Sequence, residues 1–149
     1  MTQEEKLLLL RDLCARLPYG VKIKVRSNDI RTVRAVDIVE GIVHFVESDS
    51  ISPFGVHIEH PTTFRQVVNP YLRPMSSMTE EEVKEFNNLV GYEEKDEWIR
   101  CNNICGSYGI NIIGCSDMID WLNAHHFDYR GLIEKGLAIE VTEENNPYN

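Results

Sequence analysis

The stretch from Leu7 to Arg26, "LLLLRDLCARLPYGVKIKVR", changes its hydrophobic period part-way along. In its first half Leu10, Leu13, Cys14 and Leu17 recur at three- and four-residue spacing, the mark of a helix with one buried stripe. Thr2 and Glu5 are spaced as a capping box, which places the helix start just upstream. Pro18 and Gly20 end it. In the second half Val21, Ile23 and Val25 alternate with Lys22, Lys24 and Arg26, the pattern of a half-solvated strand. A helix that hands over directly to an antiparallel strand points to an α+β fold.

Working outward, the strand pattern continues. "SND" at 27–29 suits a hairpin turn. "RTVRAVDIV" and "IVHFVE" supply two more β-rich runs, with Glu40 and Gly41 between them, and "FGVHIEH" makes a weaker fourth. Short strands at about ten-residue spacing fit a small antiparallel sheet or a partial barrel. Pro70 and Pro74 then exclude regular structure around Tyr71 to Arg73. Thr79 and Glu82 form a second capping box, ahead of a helix with Val83, Phe86, Leu89 and Val90 on its apolar stripe. "GYEEKDE" reads as a solvated connection, and the stretch from Trp98 to Ile113 as a hairpin. Ser116 caps a further helix in which Met118, Ile119, Leu122 and His125 share a face. Asp128 caps a shorter one, with Tyr129, Leu132 and Ile133 inward and Gly136 at its end. "AIEV" adds an edge strand, and a polar, frayed tail begins at about residue 142. The expectation is one α+β domain over 1–149: an N-terminal helix, a small sheet, and a helical C-terminal half with a hairpin.

Composition narrows the function classes. The chain has 149 residues, 42% hydrophobic and 26% charged, enough for one real core and too apolar for a disordered chain. No apolar run nears the ~20 residues that span a bilayer, and Glu4 and Glu5 precede the leucines where a secretory signal carries positive charge. A cytoplasmic protein with no membrane association is expected. Four cysteines imply no disulfide framework. The net charge is −9, with eight basic and four acidic residues before Val36 and seven against twenty after it. An acidic whole repels phosphate backbones, so nucleic acid is disfavoured as a partner.

Several stretches could carry chemistry, each beside a plainer reading. "HHFDYR" at 125–130 gathers His125, His126, Asp128, Tyr129 and Arg130, the parts of a small metal-dependent hydrolase. Zinc proteases space two histidines four apart, however, and adjacent ones diverge by about 100° on a helix. His125 then belongs at the core edge, His126 at a helix end near free carbonyls, and Asp128 at an N-cap. Cys101, Cys105 and Cys115 with His125 or His126 make four zinc ligand types at irregular spacing, and buried thiols are the plainer account. His57 and His60 point to opposite strand faces, and His44 stands apart from both, so no metal site is assigned. Lys22, Lys24 and Arg26 form a basic strand face that could meet phosphates weakly. The acids at 80–85 and 93–97 could imitate a nucleic-acid backbone, but a helix start and a solvated loop explain them. No cofactor loop and no nucleophile elbow is present, so no catalytic residue and no cofactor is assigned and the reading leans away from an enzyme.

Three blocks carry a resemblance: "LLLLRDLCARLPYGVK" at 7–22, "PYLRPMSSMTEEE" at 70–82 and "DWLNAHHFDYRGLIEKGLA" at 120–138. Together they resemble a family of uncharacterised small proteins from gut anaerobic bacteria and their phages and mobile elements. The resemblance implies a bacterial or phage setting and an accessory role, and it carries over no reaction, ligand or site. An unknown protein partner is the leading expectation. The contact surface expected is the proline-stiffened loop Tyr71–Met78, with Tyr71, Arg73 and Met75 as interface types, together with Arg130.

Overall fold

The computed structural model describes residues 1–25, 29–47, 50–51, 56–57, 68–90 and 112–148. Helix α1 (Gln3–Arg16) opens the chain. Both halves of its capping box form: the Glu5 N–H donates to Thr2 Oγ1 at 3.1 Å, and the Thr2 N–H to Glu5 Oε2 at 2.7 Å. A 3-10 turn over Leu17–Tyr19 and a left-handed Gly20 then reverse the chain into strand β1 (Lys22–Lys24). The period change at "PYG" is therefore a change of element, as the pattern requires.

The sheet is built outward from β1. Strand β2 (Ile30–Asp37) pairs with it antiparallel, with Ile23 opposite Arg31. Strand β3 (Ile42–Glu47) pairs antiparallel with β2, and the short strands β4 (Ser50–Ile51) and β5 (Val56–His57) meet the far edge of β3. On the other side of β1 comes β6 (Asn69–Leu72), then β7 (Ile139–Glu140), which runs parallel to β6. The order is β4-β3-β2-β1-β6-β7, an open mixed sheet rather than a partial barrel or a purely antiparallel one. Helix α2 (Glu80–Val90) and helix α3 (Ile112–Ala124) complete an α+β arrangement.

Several expectations are corrected. Tyr71 and Leu72 lie in a strand, because proline excludes helix but favours extended backbone and removes only one donor. Ile112 and Ile113 are helical, so α3 starts ahead of Ser116; the rest of the expected hairpin, the connection at 91–97 and most of the "SND" turn lie outside the described residues. β2 stops at Asp37, leaving Ile38 and Val39 on an exposed turn, Val39 at 91% exposure. Within β2 a register shift between Val33 and Ala35 turns both Val33 and Val36 to the core, which regular alternation forbids at that spacing. Residues 128–136 form turns in place of the expected short helix. Leu89 and Ile119 are exposed, whereas Asn87 and Trp121 are buried.

Among the described residues, three apolar clusters hold these elements. Leu9, Leu10 and Leu13 of α1 pack on Val21, Ile23, Val33, Val43 and Phe45 of the sheet. Phe86 of α2 meets Trp121 of α3 with ring centroids 5.4 Å apart, beside Leu122 and Phe127. Leu72, Leu132 and Leu137 form the third, under β6 and β7. α1 has a second buried side that its apolar pattern does not announce. Asp12 and Arg16 are both 0% exposed, and they face the end of α3.

Candidate functional site

The chemically capable residues gather where α3 ends. His126 has φ +59°, the left-handed conformation that closes a helix and that few non-glycine residues adopt. Its N–H donates to the Asn123 carbonyl at 3.2 Å and the Phe127 N–H to that of Leu122 at 2.9 Å, a Schellman pattern. Leu122 and Phe127 pack in one apolar cluster across it. The chain then runs beside β6. The Arg73 N–H donates to the His126 carbonyl at 2.9 Å, and the Asp128 N–H to the Arg73 carbonyl at 2.8 Å.

The polar side chains of His125, Asp128, Tyr129 and Arg130 are engaged within the chain. His125 is half-buried, stacked on Trp121 at 4.0 Å, with Nδ1 2.9 Å from the Trp121 carbonyl. The imidazole that meets a carbonyl at the helix end is thus His125 and not His126, as expected of its neighbour. Asp128 accepts from the backbone N–H groups of Leu132 at 2.9 Å and Ile133 at 2.8 Å. It caps, as its spacing suggested, but it caps a turn. The Tyr129 hydroxyl donates to Asn123 Oδ1 at 3.1 Å and accepts from Arg130 at 3.0 Å. Arg130 Nε lies 3.3 Å from Asp12 Oδ1 without hydrogen-bond geometry.

Arg16 ties the corner to α1. Its Nε donates to Asp12 Oδ2 at 2.7 Å and its Nη2 to the Phe127 carbonyl at 2.7 Å. Arg73, the residue after β6, also reaches the corner, with two bonds to Glu82 at 2.6 and 2.8 Å and its guanidinium 4.2 Å above the Phe127 ring. The hydrogen bond from Arg73 holds the Glu82 carboxyl below its usual range, against a smaller opposing effect of burial.

His126 turns inward. Its ring stacks on Tyr148 at 3.8 Å with planes 11° apart. Burial first, then the charges of Arg16, His125, Arg73 and Lys22, lower its pKa to about 4. The tail beyond 142 is therefore not simply frayed: Tyr148 is half-buried, and burial pushes its phenol up.

The arrangement does not assemble a hydrolytic set among the described residues. Asp128 has both oxygens on backbone N–H groups, His125 is bonded to its own helix, and His126 is stacked and neutral. Among the described residues no three His, Cys, Asp or Glu side chains gather where a metal ion could sit. Cys101, Cys105 and His60 lie outside those residues, and the side chains of Cys115 and His57 are not described. Cys14 is a half-buried free thiol whose pKa burial raises. On the basic strand face, Lys22 Nζ donates to Thr32 Oγ1 at 2.8 Å, Lys24 is half-buried, and Arg26 lies outside the described residues.

Of the expected contact residues, Tyr71 is buried, Arg73 is clamped to Glu82, and Met75 packs half-buried against the Phe86–Trp121 cluster. Arg130 keeps part of its side chain in solvent. Ser76 and Ser77 are the exposed part of that stretch. The residues that pattern reading missed are Asp12, Arg16 and Tyr148. The first two carry a visible i, i+4 charge spacing; Tyr148 carries no local signal. Compared with known protein families, curated proteins and solved structures, the chain matches none of them. No helix among the described residues is long and apolar enough to cross a membrane.

Proposed function

We propose that this chain is a non-enzymatic accessory protein of a bacterium or one of its mobile elements, acting in the cytoplasm by binding another protein. The observation that carries the reading is the commitment of the corner residues: His125, Asp128, Tyr129 and Arg16 bond within the fold, and His126 is buried against Tyr148. A catalytic group must instead be free to reach a substrate proton or carbonyl. The three blocks that carry the family resemblance supply Arg16, Arg73 and the 125–130 corner, which meet at this one place, and this supports a shared scaffold role for them. The outward side of Arg73–Met78, with Arg130, is the contact surface proposed.

The test is capture of partners by the full chain, followed by reconstitution of the complex from purified components. A stoichiometric complex that weakens when Ser77 and Arg130 are both replaced supports the reading. A stoichiometric transition metal retained through dialysis by untagged protein, with a hydrolytic activity lost in His125→Ala, sinks it. Binding of oligonucleotides that falls steeply with salt would instead favour the Lys22–Lys24 face.

A further inference from the structure

Tyr148 stands where two strands part. β1 and β6 pair through Ile23 with Pro70 and Lys24 with Asn69, so the next antiparallel step would set Lys22 opposite Tyr71. There the Lys22 N–H donates to the Tyr148 hydroxyl at 3.2 Å, and that hydroxyl donates to the Tyr71 carbonyl at 2.7 Å. A phenol from a distant segment is thus spliced into the ladder. The same segment is fastened once more upstream. Asn145 Nδ2 donates to the Glu140 carbonyl at 3.0 Å, and Asn145 Oδ1 accepts from the Thr142 N–H at 2.8 Å. Just ahead of these two anchors, Thr142, Glu143 and Glu144 are exposed.

We propose that Thr142–Tyr148 is an acid-releasable strap, seated on the uncharged imidazole of His126. His126 is 7% exposed, and its Nδ1 has no hydrogen-bond partner among the described residues. A neutral imidazole carries only one N–H to satisfy, so Nδ1 can lack an acceptor; an imidazolium must donate from both nitrogens. The groups that act on it are cationic or neutral: Arg16 from α1, Lys22 from β1, Arg73 just after β6, His125 just after α3 and Tyr148 from the strap itself. Asp12 of α1, which also acts on Tyr148, is already taken by Arg16, Glu82 of α2 by Arg73, and Asp128 by the N–H groups of Leu132 and Ile133. A proton on His126 therefore has no local counter-charge and drives the ring toward water. The stacked Tyr148 must then lift, withdrawing its hydroxyl from Lys22 and Tyr71 and opening the β1–β6 seam.

The sign follows from burial. The folded state holds the imidazole neutral down to about pH 4, below the ordinary 6.5, so strap closure is fully favoured above 6.5 and is lost as pH falls through that window. The test is amide-exchange NMR on the full chain from pH 7.5 to 3.5, with the His126 ring signals followed in parallel. The protection factor of the Lys22 amide should fall at least about tenfold with the midpoint of the His126 titration, while the amides of Leu9, Leu10 and Leu13 stay protected. His126→Asn, which accepts a left-handed backbone and does not titrate, should abolish that midpoint. Tyr148→Phe should lower Lys22 protection by roughly tenfold at every pH, by loss of the hydrogen bond that holds that amide. The proposal is overturned if His126 titrates near 6.5 with Lys22 still protected. It is equally overturned if α1 opens together with Lys22, or if His126→Asn keeps the same midpoint. The wild-type arms decide the matter even should the variants fail to fold.

Discussion

Asp12 and Arg16 lie one turn apart on α1, both shut off from solvent, with Arg16 Nε 2.7 Å from Asp12 Oδ2. This pair is the hinge between the two buried sides of the helix. Arg16 Nη2 also donates to the Phe127 carbonyl, so the first helix of the chain is bonded to the loop after α3. A buried pair is costly to desolvate, and its worth shows when one partner is removed. Arg16→Leu strands a buried carboxylate and the Phe127 carbonyl, and should cost roughly 3–5 kcal/mol. Urea unfolding measures it, with Asp12→Leu and Arg16→Leu combined expected to recover much of the loss.

The Asp128 carboxylate holds two backbone donors that no helix satisfies. Asp128→Ala should therefore destabilise by about 1–2 kcal/mol, as loss of a cap does. Asp128→Asn keeps one acceptor and should lose less. Thermal or urea unfolding of the two variants checks the order.

Arg73 and Glu82 give a pH signature. The Glu82 carboxyl is held below its ordinary value of 4.5, chiefly by the hydrogen bond from Arg73. Its folded form binds a proton less readily than the unfolded chain does. The stabilisation is present above about pH 4.5 and disappears as pH falls below the folded value. Arg73→Leu should cost roughly 1.5–3 kcal/mol at pH 7, the range for hydrogen bonds to charged groups, and the gap from wild type should narrow in acid. Unfolding measured at several pH values reads this directly.

Gly41 closes the β2–β3 turn at φ +69°, and a Cβ there would stand 2.7 Å from Lys6 Cε. Gly41→Ala meets both backbone strain and the lysine, and should cost about 1 kcal/mol. The end of a lysine moves easily, so adding Lys6→Ala should recover only a minor part. If the double variant regains full stability, the strain argument is wrong.

Local patterns were legible because local physics sets them. Both capping boxes, the helix-to-strand change at "PYG" and the alternation in "VKIKV" follow from neighbours within four residues, and the structure realises each of them. So does the capping role of Asp128, since its partners are four and five residues on. The strand at Asn69–Leu72 was hidden by its prolines, which signal irregularity unless neighbours on both sides supply a ladder. The buried side of α1 was hidden because Asp12 and Arg16 look like a surface pair until the 127–130 segment covers them.

What the chain determined by itself was where helices begin, where strands alternate and that an α+β fold results, for these depend on short-range sterics and hydrogen bonding. Only the tertiary structure decided that α1, β6, the end of α3 and Tyr148 meet at one corner. It also decided which imidazole is buried, because contacts such as Lys22 with Tyr148 join residues 126 positions apart and leave no periodic trace in either segment.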